Sequence, residues 1–403
     1  MEARNLIFVE PGHRESLKPF SWARPISSFR IGILTIQEKW ERRLNASSSN
    51  HVPQYLKSKF NLRIETDNLL IKSHCLPNQY LVECINQLKI GEFIQYGNDW
   101  IAARLSSSQC EDFFYRPDAY NISGLSLSNK SLRLLMNLWE IFQWNDSELK
   151  MDFELLCHGR KSQPLNSSNK LIGDSIFIEE DAVISCSVIN TTTGPVYIGK
   201  GAEIMEGCMI RGGLALLDHA QIKMGAKIYG ASTVGPDSKV GGELNNVVIQ
   251  ANSNKAHDGF LGNSVIGEWC NLGADSNNSN LKNNYEEVKI WDYAAKRFIP
   301  TNSLFCGLMM GDHAKCGINT MFNTATVVGY GANVFGDGFP RQYIPEFSWG
   351  GASGFSTFKL DKFFQTAHAV LKRRGKLFSE MDQEIARQIF ALSQSARTWD
   401  KQE

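Results

Sequence analysis

Residues 198–240 read IGKGAEIMEGCMIRGGLALLDHAQIKMGAKIYGASTVGPDSKV. An aliphatic residue returns at every sixth position: Ile198, Ile204, Ile210, Leu216, Ile222, Ile228, Val234 and Val240. A helix repeats near 3.6 residues and a strand near 2, so a period of six fits neither. It is the signature of a parallel β-helix, where each hexad supplies one short strand and one corner of a triangular coil. Glycine often follows the aliphatic (Gly199, Gly235, Gly241), as a tight corner requires. The fifth place is usually small: Ala202, Cys208, Ala226, Ser232, Ser238. Large and small side chains then alternate, which lets coils stack without voids.

The pattern extends outward on both sides. Ile178 and Ile184 place the start of the coil near residue 171. Phe260, Ile266 and Leu272 continue it, and Leu304, Met310, Cys316, Phe322, Val328 and Val334 form a last run. From Leu281 to Ser303 the period fails and Tyr285, Glu286, Glu287, Trp291, Lys296 and Arg297 enter, which predicts a loop thrown out of the wall. Ahead of the coil, strand-like runs (Leu6–Val9, Asn68–Ile71) alternate with helical patterns (Ile33–Leu44, Gln79–Leu88), pointing to an α/β domain. Ser131–Leu156 is helical by pattern, with Leu135, Leu138, Trp139 and Phe142 on one stripe, and polar Ser162–Asn169 reads as a linker. Two amphipathic helices close the chain. One carries Leu360, Phe363, Phe364, Ala367 and Leu371; the other, Ser379–Ala396, carries Ile385, Ile389 and Leu392. The expected organisation is an α/β domain over 1–130, helix and linker over 131–170, β-helix over 171–340 and a helical tail over 341–403.

Composition narrows the function. With 42 basic and 42 acidic residues the net charge is zero, and the longest basic block is Lys372-Arg373-Arg374, which argues against nucleic-acid or anionic-membrane binding through bulk charge. Nine scattered cysteines without a Cys-x-x-Cys pair suit a reducing cytosol, and Cys186, Cys208 and Cys316 read as small coil residues. No signal peptide or membrane-length apolar run is visible, so a cytoplasmic location is expected. His219, His257 and His313 share the fourth hexad place, which raises a zinc site. Their spacing of two to three coils, at about 4.8 Å per coil, leaves them too far apart within one subunit for zinc, which needs nitrogens near ~2 Å. No metal site is therefore expected in the coil.

The segment Asn254-Lys255-Ala256-His257-Asp258-Gly259-Phe260-Leu261-Gly262, followed by Ile266-Gly267, Asn271-Leu272-Gly273-Ala274 and Asn280, resembles the acetyltransferase half of the GlmU family. That family is the bifunctional UDP-N-acetylglucosamine pyrophosphorylase/glucosamine-1-phosphate N-acetyltransferase, and the likeness to its archaeal-type members is closer still. The resemblance implies a left-handed hexapeptide-repeat β-helix, a homotrimer, acetyl-CoA as acyl donor and an amino-sugar 1-phosphate as acceptor, in nucleotide-sugar synthesis for the cell envelope. It implies His257 as general base, since an ammonium must lose a proton before it attacks a thioester. It places the Ala274 amide as oxyanion donor, Asn271 at the sugar, Asn280 at the acetyl group and Lys282 at the sugar phosphate. Asp275 stands where the family has a second glycine, and Phe260 where it has tyrosine.

The N-terminus resembles the sugar nucleotidylyltransferase half. Gly12-His13-Arg14 and Pro19-Phe20-Ser21 with Arg24-Pro25 follow the first strand, as the family's glycine-rich loop and its Pro-Leu-Thr-x-x-Arg-Pro-Lys do. The second glycine is Arg14, the Thr-Arg pair is Glu15-Ser16 and the lysine is Ile26, so the usual phosphate machinery is largely replaced. Gly12, Arg14, Lys18 and Arg24, with Arg30 beside them, fit either a rebuilt phosphate site or a solvated loop. UTP and Mg2+ would serve such a site, although the family's magnesium-holding Gly-Asp is Ser73-His74 here, with Asn98-Asp99 a weaker substitute. Three functions follow: an N-acetyltransferase based on His257, a sugar-1-phosphate nucleotidylyltransferase, or a non-catalytic trimeric scaffold that binds a nucleotide sugar.

Overall fold

The computed structural model describes residues 4–97, 99–116, 124–127 and 132–400. The chain forms two compact units. The first comprises Met1–Arg14, Arg24–Phe29 and Leu34–Met136; the second comprises Glu15–Ala23, Arg30–Ile33 and Asn137–Glu403. The sequence places boundaries near 130 and 170, whereas here two short early segments and the helix before the linker all group with the β-helix.

The first unit is built on a six-stranded sheet. Its strands are β1 (Arg4–Val9), β2 (Ala46–His51), β3 (Asp67–Lys72), β5 (Glu92–Tyr96), β6 (Asp99–Ser106) and β7 (Gly124–Leu127), in the order β2-β1-β3-β6-β5-β7. A two-stranded ribbon pairs β4 (Cys75–Leu76) with β8 (Arg133–Leu134). β1 runs parallel to β2 and β3, while β6 is antiparallel to its neighbours. Helix α1 (Ile36–Leu44) starts at a Thr35/Glu38 capping box and stops where Asn45 turns left-handed at φ 48°. α2 (Gln79–Gln87) is capped by the Asn78 side chain, and α3 (Ser107–Tyr115) by a Ser106/Gln109 box. The helix predicted from Ser131 begins only at Glu140. Ser131 lies outside the described residues, and Arg133–Leu134 is claimed by the ribbon instead. Leu135 and Leu138 are buried nonetheless, so their periodicity reports burial rather than helix.

In the second unit all eight hexad aliphatics from Ile198 to Val240 point inward and are at most 2% exposed. They stack in parallel ladders such as Ile198–Leu216–Val234 and Ile204–Ile222–Val240, one coil apart. Between Ser232 and Glu268 the coil shortens, and two of its three faces fuse through the nine-residue strands Glu243–Ala251 and Phe260–Glu268. The shortening shifts the register by one: Leu261, 1% exposed, takes the inward place expected of Phe260. Leu304 is 41% exposed and belongs to the insertion, so the last run begins at Met310. Cys186 lies on a left-handed corner and is exposed, unlike Cys208 and Cys316.

The insertion is visible in the register. Asn271 pairs with Lys315 and Val265 with Met309, a step of 44 residues where Lys315 to Asn333 takes 18. The extra chain folds as a hairpin of Lys289–Asp292 with Arg297–Pro300. At the start of the coil the supposed linker is already engaged, since Gln163 N–H donates to the Ile178 carbonyl. At its end, hairpin Ser348–Gly351/Gly354–Thr357 and helices α5 (Leu360–Lys372) and α6 (Glu380–Leu392) cover what would be an open edge. Phe363 of α5 and Phe390 of α6 both meet Phe347 edge-on at 5.1 Å. α6 is shorter than its pattern, and Leu392 is exposed.

Helix α4 (Glu140–Cys157) covers the fused faces with buried polar side chains. The Asn145 carbonyl oxygen accepts from Gly32 N–H and its amide donates to Ala231, while Asp152 accepts from Ile33 N–H at 2.9 Å. Gly32 (φ +84°) cannot be replaced without collision, because a Cβ would lie 2.6 Å from the Asp152 carboxylate. No helix among the described residues is long and apolar enough to cross a membrane.

Ile222→Ala removes a side chain enclosed above and below by Ile204 and Val240. It is expected to lower stability by about 2–5 kcal/mol. Met209→Ala, at an outward place that is 56% exposed, should change it by less than about 0.5 kcal/mol. Urea unfolding followed by circular dichroism reads both.

Candidate active site

His257 sits on the corner between strand Asn254–Lys255 and strand Phe260–Glu268. Gly259 (φ +111°) makes that corner possible, since a Cβ there would lie 2.3 Å from the Ser276 carbonyl of the next coil. The imidazole is exposed, with no hydrogen-bond partner among the described residues. It opens onto a cleft of about 740 Å³ formed by one coil face and the end of α5. Asn271 and Ala274, one coil further on, line the same cleft. Asn254 donates to the Asn271 carbonyl oxygen at 3.3 Å and itself accepts from Arg374 at 2.8 Å. The N–H of Ala274 lies between two paired amides, Gly273 to Cys316 and Asp275 to Asp258, and has no acceptor among the described residues. Coil corners leave such an amide outward elsewhere, at Glu206 and Met224, so what distinguishes Ala274 is its neighbours rather than its backbone.

The cleft is cationic. Lys239, Lys315, Arg373 and Arg374 line it, and among the described residues no carboxylate does. Burial, followed by repulsion from Lys223, Arg374 and Arg373, lowers the pKa of Lys239. Burial likewise lowers Arg374 and pushes Lys315 down to about 8. Crowded like charges of this kind favour an anion that would share them. These four residues are not apparent as a set in the sequence. The one available signal was the block Lys372-Arg373-Arg374, whose purpose appears only when α5 lies along the coil.

Lys255 takes the inward place beneath Val240, where every other coil carries an apolar residue, and is 1% exposed. Its ammonium donates to the carbonyls of His257 and of Asp258, the latter at 3.0 Å, and so ties the His257 corner from inside. Burial pushes its pKa down to about 8 against a partial pull upward from Asp258.

The remaining expected residues lie elsewhere. Asn280 donates to Asn263 at 2.7 Å on a different corner, and Lys282, in the insertion, donates to the Glu287 carbonyl at 3.0 Å. Neither lines the His257 cleft. His313 is packed among Trp269, Tyr330, Phe363 and Phe378, and His219 is exposed over Gly201. Among the described residues no cluster of three or more His, Cys, Asp or Glu is placed to hold a metal.

In the N-terminal unit, Arg14 is buried and ion-paired with Glu10, and it also donates to the Arg24 carbonyl at 2.9 Å. Arg24 is itself buried. A Cβ at Gly12 would meet nothing within 4 Å, so no close backbone approach demands glycine there. In the second unit, Lys18 pairs with Glu15 and lies 3.4 Å over the Trp22 ring. Ser73 and His74 are buried, His74 meets His13 edge-on at 4.6 Å, and burial holds its pKa well below the usual value. A buried imidazole without a carboxylate does not fit magnesium, which wants oxygen ligands. Asp99 pairs with Lys72 at 3.3 Å, and Asn98 lies outside the described residues.

Residues 6–161 match the family model described as sugar nucleotidyl transferase. Two curated relatives are both named Bifunctional protein GlmU. The one from Methanocaldococcus jannaschii is 33% identical over 22% of this chain, and the one from Nocardia farcinica 28% identical over 44%. Over these stretches the chain is similar to proteins of the GlmU type. The matched stretches span only 21% and 31% of those relatives' lengths. Among solved structures, the polySia specific acetyltransferase NeuO aligns over 48% of this chain and 87% of its own, at TM-score 0.27 and 12% identity. AntD, an N-acyltransferase from Bacillus cereus, aligns over 50% of this chain and 91% of its own, at TM-score 0.22 and 13% identity. Likeness that loose carries no argument about chemistry.

The buried amines make a pH prediction. The folded chain releases the Lys255 proton near pH 8, whereas the usual lysine value is 10.5. Between those values the unfolded chain binds more protons, so stability should rise with pH across that window. Lys255→Met is expected to flatten part of the rise, read as urea midpoints from about pH 8 to about pH 10. An unchanged slope would mean that the amine reaches water.

Proposed function

We propose that the β-helix unit transfers an acetyl group from acetyl-CoA to the amine of an amino-sugar 1-phosphate, with His257 as general base. The observation that carries this reading is the convergence in one cleft of an unpartnered imidazole, the Asn271 side chain, the outward Ala274 amide and four cations without a carboxylate. A polyanionic acyl donor would share the charge of Lys239, Lys315, Arg373 and Arg374. His257 accepts a proton from the substrate ammonium, and the freed amine attacks the thioester carbonyl. The Ala274 N–H faces the oxygen on which negative charge develops, and the tetrahedral intermediate collapses with loss of the thiolate, which takes up the second proton given off by the nitrogen as the amide forms. Asn280 and Lys282, on another corner of the coil, would complete the site from a neighbouring copy, which is the reason to expect a homotrimer.

For the N-terminal unit, the family match over residues 6–161 supports sugar-1-phosphate nucleotidylyl transfer, with UTP as the expected nucleotide. The internal pairing of Arg14 and the lack of a fit for Mg2+ favour the acetyltransferase as the principal activity. Both readings belong to cytoplasmic synthesis of a nucleotide sugar for the cell envelope.

The test is thiol release from acetyl-CoA with glucosamine 1-phosphate. His257→Ala is expected to lower the rate by about 10²–10⁴-fold with the fold unchanged by circular dichroism. Retained activity would remove His257 from the chemistry. Mixing His257→Ala with Asn280→Ala chains should restore part of the rate if the site is shared between copies. No restoration would confine it to one subunit.

A further inference from the structure

The second unit holds another chamber, of about 820 Å³, that shares no residue with the His257 cleft. The insertion hairpin supplies Trp291, Tyr293 and Phe298; the last coils supply Arg341, Tyr343 and Glu346. Segment 15–22 and the chain after α6 complete the lining. Trp291 and Tyr343 stack face to face, with centroids 4.3 Å apart and an interplanar angle of 8°, so that the pair forms a rigid aromatic block in the lining. Glu346 is 1% exposed. One of its oxygens accepts from the Trp22 indole at 2.8 Å and the Tyr293 hydroxyl at 2.6 Å; the other is buried with no partner among the described residues. A buried carboxylate oxygen left without a donor is costly and is a rare feature of a finished core. Two cations, Lys296 and Arg341, are exposed in the chamber's lining without an ion pair among the described residues, Arg341 lying 5.5 Å from the Phe355 ring and 5.8 Å from the Trp399 ring, while Lys18 pairs with Glu15 and lies over Trp22.

We propose that this chamber is a binding site for a planar heteroaromatic ligand with an N–H donor and an anionic tail, the chemistry of a nucleoside phosphate. The ring stacks on an outer face of the Trp291–Tyr343 pair, an N–H of the ring fills the open place on Glu346, and the phosphates meet Lys296 and Arg341. The volume lies in the range of small-molecule sites, about 300–1,000 Å³. A sugar phosphate could use the same cations, but five lining aromatics, counting Trp22, Tyr293 and Phe298 with the stacked pair, favour a flat ring. The insertion thereby gains a purpose, since without its hairpin the chamber loses one wall.

The experiment is calorimetric titration of the full chain with ATP, GTP, CTP and UTP separately. At least one should bind. Trp291→Ala and Arg341→Ala, both outside the β-helix core, should each weaken it by roughly tenfold or more. Glu346→Gln should shift the preference among the four bases. His257→Ala and Arg373→Ala, in the other cleft, should leave binding unchanged, so failure here and failure of the acetyltransferase reading are told apart. The proposal is overturned by silence with all four nucleotides, by equal affinity in Trp291→Ala and Arg341→Ala, by loss of binding in Arg373→Ala, or by binding of glucosamine 1-phosphate to the chamber where the nucleotides do not bind.

Discussion

The vertical stacking of like on like inside the coil is the interaction on which the rest depends. Each inward aliphatic lies directly over its counterpart one coil away, as in Ile204, Ile222 and Val240, so every methyl group is covered from above and below. Such a column tolerates changes in coil length only where a corner can be omitted or a loop expelled. Both happen here. The shortened coils after Val234 fuse two faces, and the expelled loop becomes the Trp291 hairpin. The His257 cleft and the aromatic chamber lie at these two irregularities, and the regular coils form the frame between them.

Lys255 shows how the frame and the site are joined. A charge in an aliphatic column opposes the fold, and its proton is held more weakly for that reason. What it provides in return is two hydrogen bonds that fix the backbone of the His257 corner. The imidazole therefore stands on a tied loop rather than a free one, although its ring remains exposed. The arrangement sets the desolvation cost of a buried amine against the hydrogen bonds that satisfy it.

Charge is organised on the same principle. The chain is neutral as a whole, yet one cleft gathers four cations with no carboxylate among the described residues, and the aromatic chamber is lined by both a buried carboxylate and exposed cations. Neither arrangement could be inferred from net charge, because each combines residues from segments far apart in the sequence. Arg373 and Arg374 meet Lys239 only because α5 runs back along the coil wall, and Glu346 meets Trp22 across 324 positions.

By itself the sequence determined the β-helix, its eight inward aliphatics, the insertion and the terminal helices, because period and composition are local properties that burial must satisfy. It also singled out His257, Asn271 and Ala274, which the fold brings to one cleft. The tertiary structure alone decided that Leu261 rather than Phe260 points inward, since a shortened coil shifts register in a way that hydrophobicity does not mark. It decided that Arg133–Leu134 is a strand, through pairing with Cys75–Leu76. It also decided that Arg14 is neutralised by Glu10 and that Asn280 and Lys282 stand apart from His257. Those outcomes depend on which distant groups share a dry space or a hydrogen bond, and a one-dimensional pattern does not carry that information.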